Sequence, residues 1–163
     1  MSQNKINIVV AGATGFVGLD LVFYLSKHPK VNISYLCAQK NLGKKINIFD
    51  KRIKKKLPNI SSLKKVNWAV VDVLFLSLPS GEAQKIVRKL FHYKNLKFID
   101  LSADFRITNS KEYKNWYSID HKAKNLITKS IYSIPEFTKK TIKKFRIVAN
   151  PGCYPTSIQL ALL

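Results

Sequence analysis

The feature that most constrains this fold is a set of three glycines directly after the first apolar run of the chain. Residues 5–11 are mostly apolar and predict a buried strand, and Gly12–Gly18, with the sequence GATGFVG, follow at once. Residues 16–28 carry apolar side chains at spacings of about four, which is typical of a helix. A strand, a GxxGxxG turn and a helix in this order are typical of a dinucleotide-binding unit.

The glycines have separate physical roles in such a turn. Gly12 permits the tight turn, and Gly15 lets a pyrophosphate approach the helix N-terminus, where free N–H groups favour anions. Gly18 permits close packing of the helix on the strand. A glycine-rich turn that binds no ligand is the alternative. The residues of this turn predicted to bind the cofactor are Gly12, Thr14, Gly15, Phe16, Val17 and Gly18.

The rest of the chain alternates between apolar runs and helical patterns. The runs that predict further strands are 31–37, 73–78, 96–101 and 145–149. Helices are predicted at residues 82–92 and from Pro155 to Leu163, while residues 38–67 and 102–144 are predicted to be loops with short helical or irregular pieces. Strands separated by helices indicate the α/β class, and we expect a Rossmann-type, doubly wound, mostly parallel sheet.

The net charge of +20 comes almost entirely from lysine, since only four of the 29 basic residues are arginine. The lysines are scattered along the chain, which favours a solvated surface over a polyanion-binding face. A nucleic-acid binder is kept as an alternative, but no DNA- or RNA-binding motif accompanies the charge. We therefore expect no nucleic-acid partner.

Other classes are disfavoured by what the sequence lacks. No apolar run approaches the roughly 18 residues of a membrane span, and the N-terminus shows no signal peptide. The two cysteines, Cys37 and Cys153, are far apart and form no CxxC pair, so we expect neither a metal site nor a disulfide framework. A reduced, cytoplasmic setting without membrane contact is the expectation.

The segment after the second predicted strand bears on the choice between NAD and NADP. NAD-binding proteins usually carry Asp or Glu there to hold the ribose 2′-hydroxyl. Residues 36–44 contain no acid but include Lys40 and Lys44, which would attract a 2′-phosphate. The sequence therefore predicts NADP (NADPH) with Lys40 as a cofactor-binding residue, unless these lysines are merely solvated.

Cys153 lies where a predicted strand ends and a helix begins, in the run Asn150–Thr156 (NPGCYPT). A helix N-terminus stabilises a thiolate, the reactive form of a cysteine. A buried, inert thiol is the alternative, and on these residues alone both interpretations stand. Asp100–Arg106 (DLSADFR) also follows a predicted strand and could bind an anionic substrate, or instead form a structural ion pair and Asx-type loop contacts. None of the three histidines is assigned a catalytic role.

Five runs in this sequence resemble N-acetyl-gamma-glutamyl-phosphate reductases, and they follow the order found in that family. They are Ala11–Gly18, Leu76–Gly81, Ile99–Arg106, Tyr132–Glu136 and Ala149–Thr156. The resemblance implies that Cys153 displaces phosphate from an acyl phosphate to form a thioester, which NADPH then reduces to the semialdehyde. It also implies that the cofactor reaches past Pro79 toward Cys153, and that Ser102 and Arg106 shape the substrate and phosphate site.

The chain departs from this family in two ways. Ser80 stands where the family usually has histidine, and the family's acid/base histidine lies in a second, α+β domain downstream of Leu163. We expect residues 1–150 to be the NAD(P)-binding domain and residues 151–163 to be the cysteine turn and the start of that largely absent domain. The chain would then be a fragment of a homo-oligomeric enzyme and turn over poorly. The alternatives are an aspartyl- or aminoadipyl-phosphate semialdehyde dehydrogenase and a non-catalytic NADP-binding module.

Overall fold

The computed structural model describes residues 5–162. In chain order its strands and α-helices are β1 (Ile6–Ala11), α1 (Phe16–Lys27), β2 (Val31–Cys37), β3 (Ile60–Ser61), β4 (Val73–Leu76), α2 (Glu82–Leu90), β5 (Lys97–Asp100), α3 (Ser110–Tyr117), α4 (Lys124–Ile127), β6 (Ser130–Tyr132), α5 (Pro135–Thr138), β7 (Ile147–Ala149) and α6 (Cys153–Ala161). Single 3-10 turns lie at Ile46–Ile48, Leu63–Lys65, Trp68–Val70 and Ile142–Lys144. The chain divides into two compact units, Met1–Ser77 with Tyr93–Leu96, and Leu78–His92 with Lys97–Leu163.

The first unit contains a parallel sheet in the order β3-β2-β1-β4. Ile8 of β1 is paired with Ile33 of β2 on one side and with Val73 of β4 on the other. Helix α1 packs Val22 into the core beneath these strands, and Ile53 from the long segment after β2 joins the same cluster. The nearly continuous apolar character of β1 follows from this central position, because a central parallel strand is covered on both faces.

The second unit contains a parallel sheet in the order β5-β7-β6. The last residues of β5 and β7, Asp100 and Ala149, are paired, so both strands end at the same edge. Helix α2 is amphipathic and buries Ala83, Val87 and Leu90, whose spacing places them on one helical face. The carboxyl edge of this sheet therefore carries the loops after Asp100 and after Ala149.

Parallel strands alternating with helices confirm the predicted α/β, Rossmann-type fold. The sequence did not predict β3 or β6, which lie inside the segments assigned to loops. These strands have two and three residues, too few to show a period. The predicted start of the last helix was two residues too far along the chain, because α6 begins at Cys153 rather than at Pro155.

All the lysines lie between Lys5 and Lys144 and are exposed, as expected of a solvated surface. Within residues 5–162, no helix is long and apolar enough to cross a membrane. The same part of the chain contains no cluster of three or more His, Cys, Asp or Glu side chains that could hold a metal ion.

Candidate functional site

The glycine turn of the first unit has the geometry that its sequence predicts. Gly12 follows β1 with φ of 81°, a left-handed conformation that favours glycine. Its N–H donates to the carbonyl of Cys37 at 2.9 Å, which fastens the turn to the end of β2. A Cβ on Gly18 would lie 2.1 Å from the carbonyl oxygen of Gly12, so only glycine permits this approach of α1 to β1. The structural roles predicted for these two glycines thus agree with the packing.

The N-terminus of α1 is open toward solvent. Its N-cap residue, Gly15, provides no side-chain hydrogen bond, and the first turn carries no acidic residue. Phe16 is 88% exposed and Val17 is also exposed, whereas Thr14 in the preceding turn is half-buried. The first N–H groups of a helix lack intrahelical acceptors and attract anions. These residues therefore fit the pyrophosphate of a dinucleotide.

The segment after β2 presents cationic side chains and no carboxylate between residues 38 and 49. Lys40 is exposed, and Lys44 donates from Nζ to Oδ1 of Asn41 at 3.0 Å. The next acid, Asp50, forms an ion pair with Arg52. Lys44 thus shares its ammonium with Asn41, whereas Lys40 does not.

The two thiols lie in opposite environments. Cys153 is the first residue of α6, after Gly152 as the N-cap, and it is exposed. The first helical turn closes where the N–H of Thr156 donates to the carbonyl of Gly152 at 3.0 Å. Cys37 is buried in β2, and burial raises the pKa of its thiol to about 11. Cys153 is therefore the thiol that a solute can reach, and it lies at the N-terminus of a helix.

The side chain of Arg106 is directed to the turn before Cys153. Its Nε donates to the carbonyl of Asn150 at 2.8 Å, and its Nη2 donates to the carbonyl of Leu101 at 2.9 Å. Both acceptors are main-chain carbonyls, not the carboxylate of a structural ion pair. Arg106 thus lies against the turn that precedes Cys153.

Ser102 is buried within the loop after β5 and does not face solvent. Its N–H donates to Oδ1 of Asp100 at 2.9 Å, and its hydroxyl accepts from the N–H of Asp104 at 3.2 Å. These are the Asx-type loop contacts that the sequence left open as an alternative. In this structure the hydroxyl of Ser102 shapes the loop.

A buried carboxylate, Asp104, holds the turn at Pro79, and its role was missed from the sequence. Its oxygens accept from the N–H of Gly81 at 2.7 Å, from the N–H of Gln84 at 2.9 Å and from the hydroxyl of Tyr113 at 2.7 Å. The side chain therefore caps α2 from a distant loop, next to the exposed Pro79. No sequence signal could reveal it, because an N-cap residue is normally sought at the helix itself.

Two further titratable groups are buried near this loop. Burial raises the pKa of Asp100 to about 6, partly offset by contacts with Ser102, and its Oδ2 has no hydrogen-bond partner among residues 5–162. His121, 2% exposed, lies with Nε2 at 2.8 Å from the carbonyl of Asp104, and Nδ1 accepts from the N–H of Ala123. Burial lowers the pKa of His121. In the neutral tautomer Nε2 therefore donates to Asp104.

Related sequences carry one recurring name. The chain is 43% identical to N-acetyl-gamma-glutamyl-phosphate reductase of Brachyspira hyodysenteriae, with 96% of this chain and 46% of the relative aligned. It is 40% identical to the probable chloroplastic N-acetyl-gamma-glutamyl-phosphate reductase of Arabidopsis thaliana, with 99% and 40% aligned. The chain thus spans less than half the length of these curated relatives.

Solved structures and a family profile agree with the fold. Aspartate semialdehyde dehydrogenase II of Vibrio cholerae, complexed with ASA, superimposes with a TM-score of 0.70 at 17% identity, covering 98% of this chain and 45% of that one. Aspartate semialdehyde dehydrogenase of Candida albicans with NADP gives a TM-score of 0.55 at 21% identity, covering 93% and 44%. The profile named semialdehyde dehydrogenase, NAD binding domain, matches residues 7–145. The chain therefore belongs to the semialdehyde dehydrogenase family, through the domain that binds its nicotinamide cofactor.

Proposed function

We propose that this chain belongs to an enzyme that uses NADPH to reduce N-acetyl-gamma-glutamyl phosphate to N-acetylglutamate semialdehyde and phosphate, a step of arginine biosynthesis. The observation that carries the proposal is the exposed Cys153 at the first position of α6, after a turn against which the guanidinium of Arg106 lies. The substrate is taken from relatives at 40–43% identity that bear this name. For the whole protein we expect a cytoplasmic homo-oligomer.

The chemistry begins at the Sγ atom of Cys153. The thiolate attacks the acyl carbonyl, a C–S bond forms, and the C–O bond to phosphate breaks, so that phosphate leaves with the electron pair. The product is a thioester on Cys153. Arg106 supplies positive charge next to this turn, which suits a phosphate leaving group, and Ser102 shapes the loop that holds Arg106.

The second half-reaction needs a hydride at the thioester carbon. NADPH supplies this hydride when it is bound. The open N-terminus of α1, with Gly12, Thr14, Gly15, Phe16, Val17 and Gly18, would hold its pyrophosphate, with Lys40 near the 2′-phosphate. The exposed Pro79 is proposed as a further cofactor-binding residue. The hemithioacetal anion that results re-forms its C=O bond as the C–S bond breaks, and the departing sulfur takes a proton from solvent, which releases the aldehyde and the free thiol.

A single-turnover experiment tests the nucleophile. The 163-residue chain is mixed with N-acetyl-gamma-glutamyl phosphate without NADPH, and released phosphate and protein mass are measured. We expect about one equivalent of phosphate per chain and an acyl adduct on Cys153. Cys153→Ser should abolish both, whereas the matched variant Cys37→Ser should retain both because Cys37 is buried. Phosphate release that survives in Cys153→Ser would contradict the proposal.

The same assay separates the alternatives. Aspartyl or aminoadipyl phosphate acylating faster than the N-acetylglutamyl substrate would favour a sister reductase. Binding of NADPH without any acyl adduct would favour a non-catalytic module. With NADPH added, we expect the 163-residue chain to turn over poorly, because it spans less than half the length of its curated relatives.

A further inference from the structure

We propose that Arg106 is a positioning residue, which ties the main chain just before the cysteine turn to the loop after β5 and so presents the thiol at the first position of α6. This inference deepens the proposed function and rests on it for the claim that Cys153 reacts. It gives Arg106 a role that is separate from any contact with a phosphate group.

The guanidinium joins the segments that leave two neighbouring strands. Nε of Arg106 donates to the carbonyl of Asn150, just after β7, and Nη2 donates to the carbonyl of Leu101, just after β5. The last residues of these strands, Asp100 and Ala149, are paired, and the N–H of Asn150 donates to the carbonyl of Asp100 at 2.7 Å. The side chain of Arg106 thus connects the two main-chain segments just beyond the last hydrogen bond between their strands.

The third nitrogen lies against the residue that precedes the cysteine. A Cβ built on Gly152 would lie 3.2 Å from Nη1 of Arg106 and 3.5 Å from Cδ of Pro155. The carbonyl of Gly152 accepts the N–H of Thr156, which closes the first turn of α6. The direction of this carbonyl, and with it the orientation of Cys153, therefore depends on a turn that Arg106 holds in place.

The loop that carries Arg106 is itself fixed. Asp104, two residues earlier, is fully buried, and its carboxylate accepts from the N–H groups of Gly81 and Gln84. The guanidinium thus extends from a backbone that cannot easily adjust. Its planar donors require acceptors in a fixed plane, a geometry that a lysine ammonium does not reproduce.

The test measures the reactivity of Cys153 in the 163-residue chain with Arg106→Lys, which keeps the charge but loses the planar donors. The rate of alkylation by iodoacetamide is followed across neutral and alkaline pH, and hydrogen exchange is followed at the amide of Thr156. We expect a rate at neutral pH that is about two- to fivefold lower, because a displaced helix N-terminus stabilises the thiolate less. We also expect faster exchange at Thr156. Cys37 serves as an internal reference, since it is labelled only on unfolding.

An unchanged alkylation profile together with unchanged exchange in Arg106→Lys would overturn the inference, and it is the result expected of an arginine that only binds phosphate. If this variant unfolds and Cys37 is labelled, Gly152→Ala decides instead. That change keeps Arg106 but places a methyl group against its Nη1 atom. We expect a smaller loss in the reactivity of Cys153, and no loss would refute the inference. Neither measurement uses substrate or NADPH, so failure here is separate from failure of the proposed reaction.

Discussion

At the scale of single residues, Lys40 and Lys44 show how two similar side chains differ in what they can bind. Both follow β2, in a segment without carboxylates before Asp50. Lys44 already donates to Asn41, whereas Lys40 is exposed and does not share that acceptor. A 2′-phosphate would therefore gain more from Lys40.

Lys40→Ala should weaken binding of NADPH by about fivefold, the size of one partly exposed ion pair of about 1 kcal/mol. NADH lacks the 2′-phosphate, so its affinity should not change. Lys44→Ala is the matched control and should have a smaller effect. Fluorescence titration of the 163-residue chain with each nucleotide measures this, and equal losses for NADH and NADPH would argue against a 2′-phosphate contact.

Asp100 allows a prediction about pH. Its pKa is about 6 in the folded chain and about 4 when unfolded, so the folded state binds more protons in the interval between these values. The free energy of unfolding should therefore fall as pH rises from about 4 to about 6, by up to about 3 kcal/mol. Asp100→Asn should lack this fall. Urea unfolding of both proteins at several pH values compares them, and parallel curves would show that Asp100 ionises alike in both states.

At the scale of elements, helix α2 begins with an arrangement that no local residue provides. Gly81, its N-cap, has φ of 91° and no side chain. The carboxylate of Asp104 acts instead of an N-cap side chain, because it accepts hydrogen bonds from the N–H groups of Gly81 and Gln84. Tyr113 of α3 donates to the same carboxylate, so one buried group orders two helices.

Asp104→Ala should destabilise the chain by about 2–4 kcal/mol, because it leaves buried donors without an acceptor. The exposed Asp120, which forms an ion pair with Lys114, is the control. Asp120→Ala should cost no more than about 1 kcal/mol. Chemical denaturation gives both values. Similar losses in the two variants would mean that Asp104 is not a special anchor.

At the scale of the whole molecule, His121 makes stability depend on pH in the opposite direction to Asp100. Burial lowers its pKa in the folded state, and protonation of Nδ1 would remove the acceptor for the N–H of Ala123. The stabilising contribution is present above the unfolded pKa of about 6.5 and is lost as pH falls from there to the folded pKa.

His121→Gln should therefore be destabilised most above about pH 6.5, with a smaller difference from the parent chain in acid. His28, exposed at the end of α1, provides the comparison variant His28→Gln, in which only the exposed contact from the N–H of Lys30 to Nδ1 is at stake, so we expect a cost of no more than about 1 kcal/mol. Thermal unfolding across this range tests the prediction. A His121→Gln deficit that does not change with pH would count against it.

The sequence by itself determined those elements whose signal lies in residues that are close together along the chain. Gly12 and Gly18 belong to a glycine pattern that brings a helix close to a strand, and this pattern can be recognised from adjacent residues alone. The same is true of the apolar runs that form the longer strands. The family and the position of Cys153 at a strand–helix junction followed from short runs of adjacent residues. These features were predictable because their physical requirements lie within a few residues of each other.

Only the tertiary structure decided which polar groups hold the site together. Arg106 reaches the carbonyl of Asn150, 44 positions away, and Asp104 reaches the N–H of Gly81, 23 positions away. The short strands β3 and β6 likewise depend on the hydrogen bonds that their neighbours β2 and β7 offer them. Such contacts depend on where the chain returns in space. The sequence therefore predicts Arg106 as a site residue, while the fold shows which carbonyls, those of Asn150 and Leu101, its guanidinium binds.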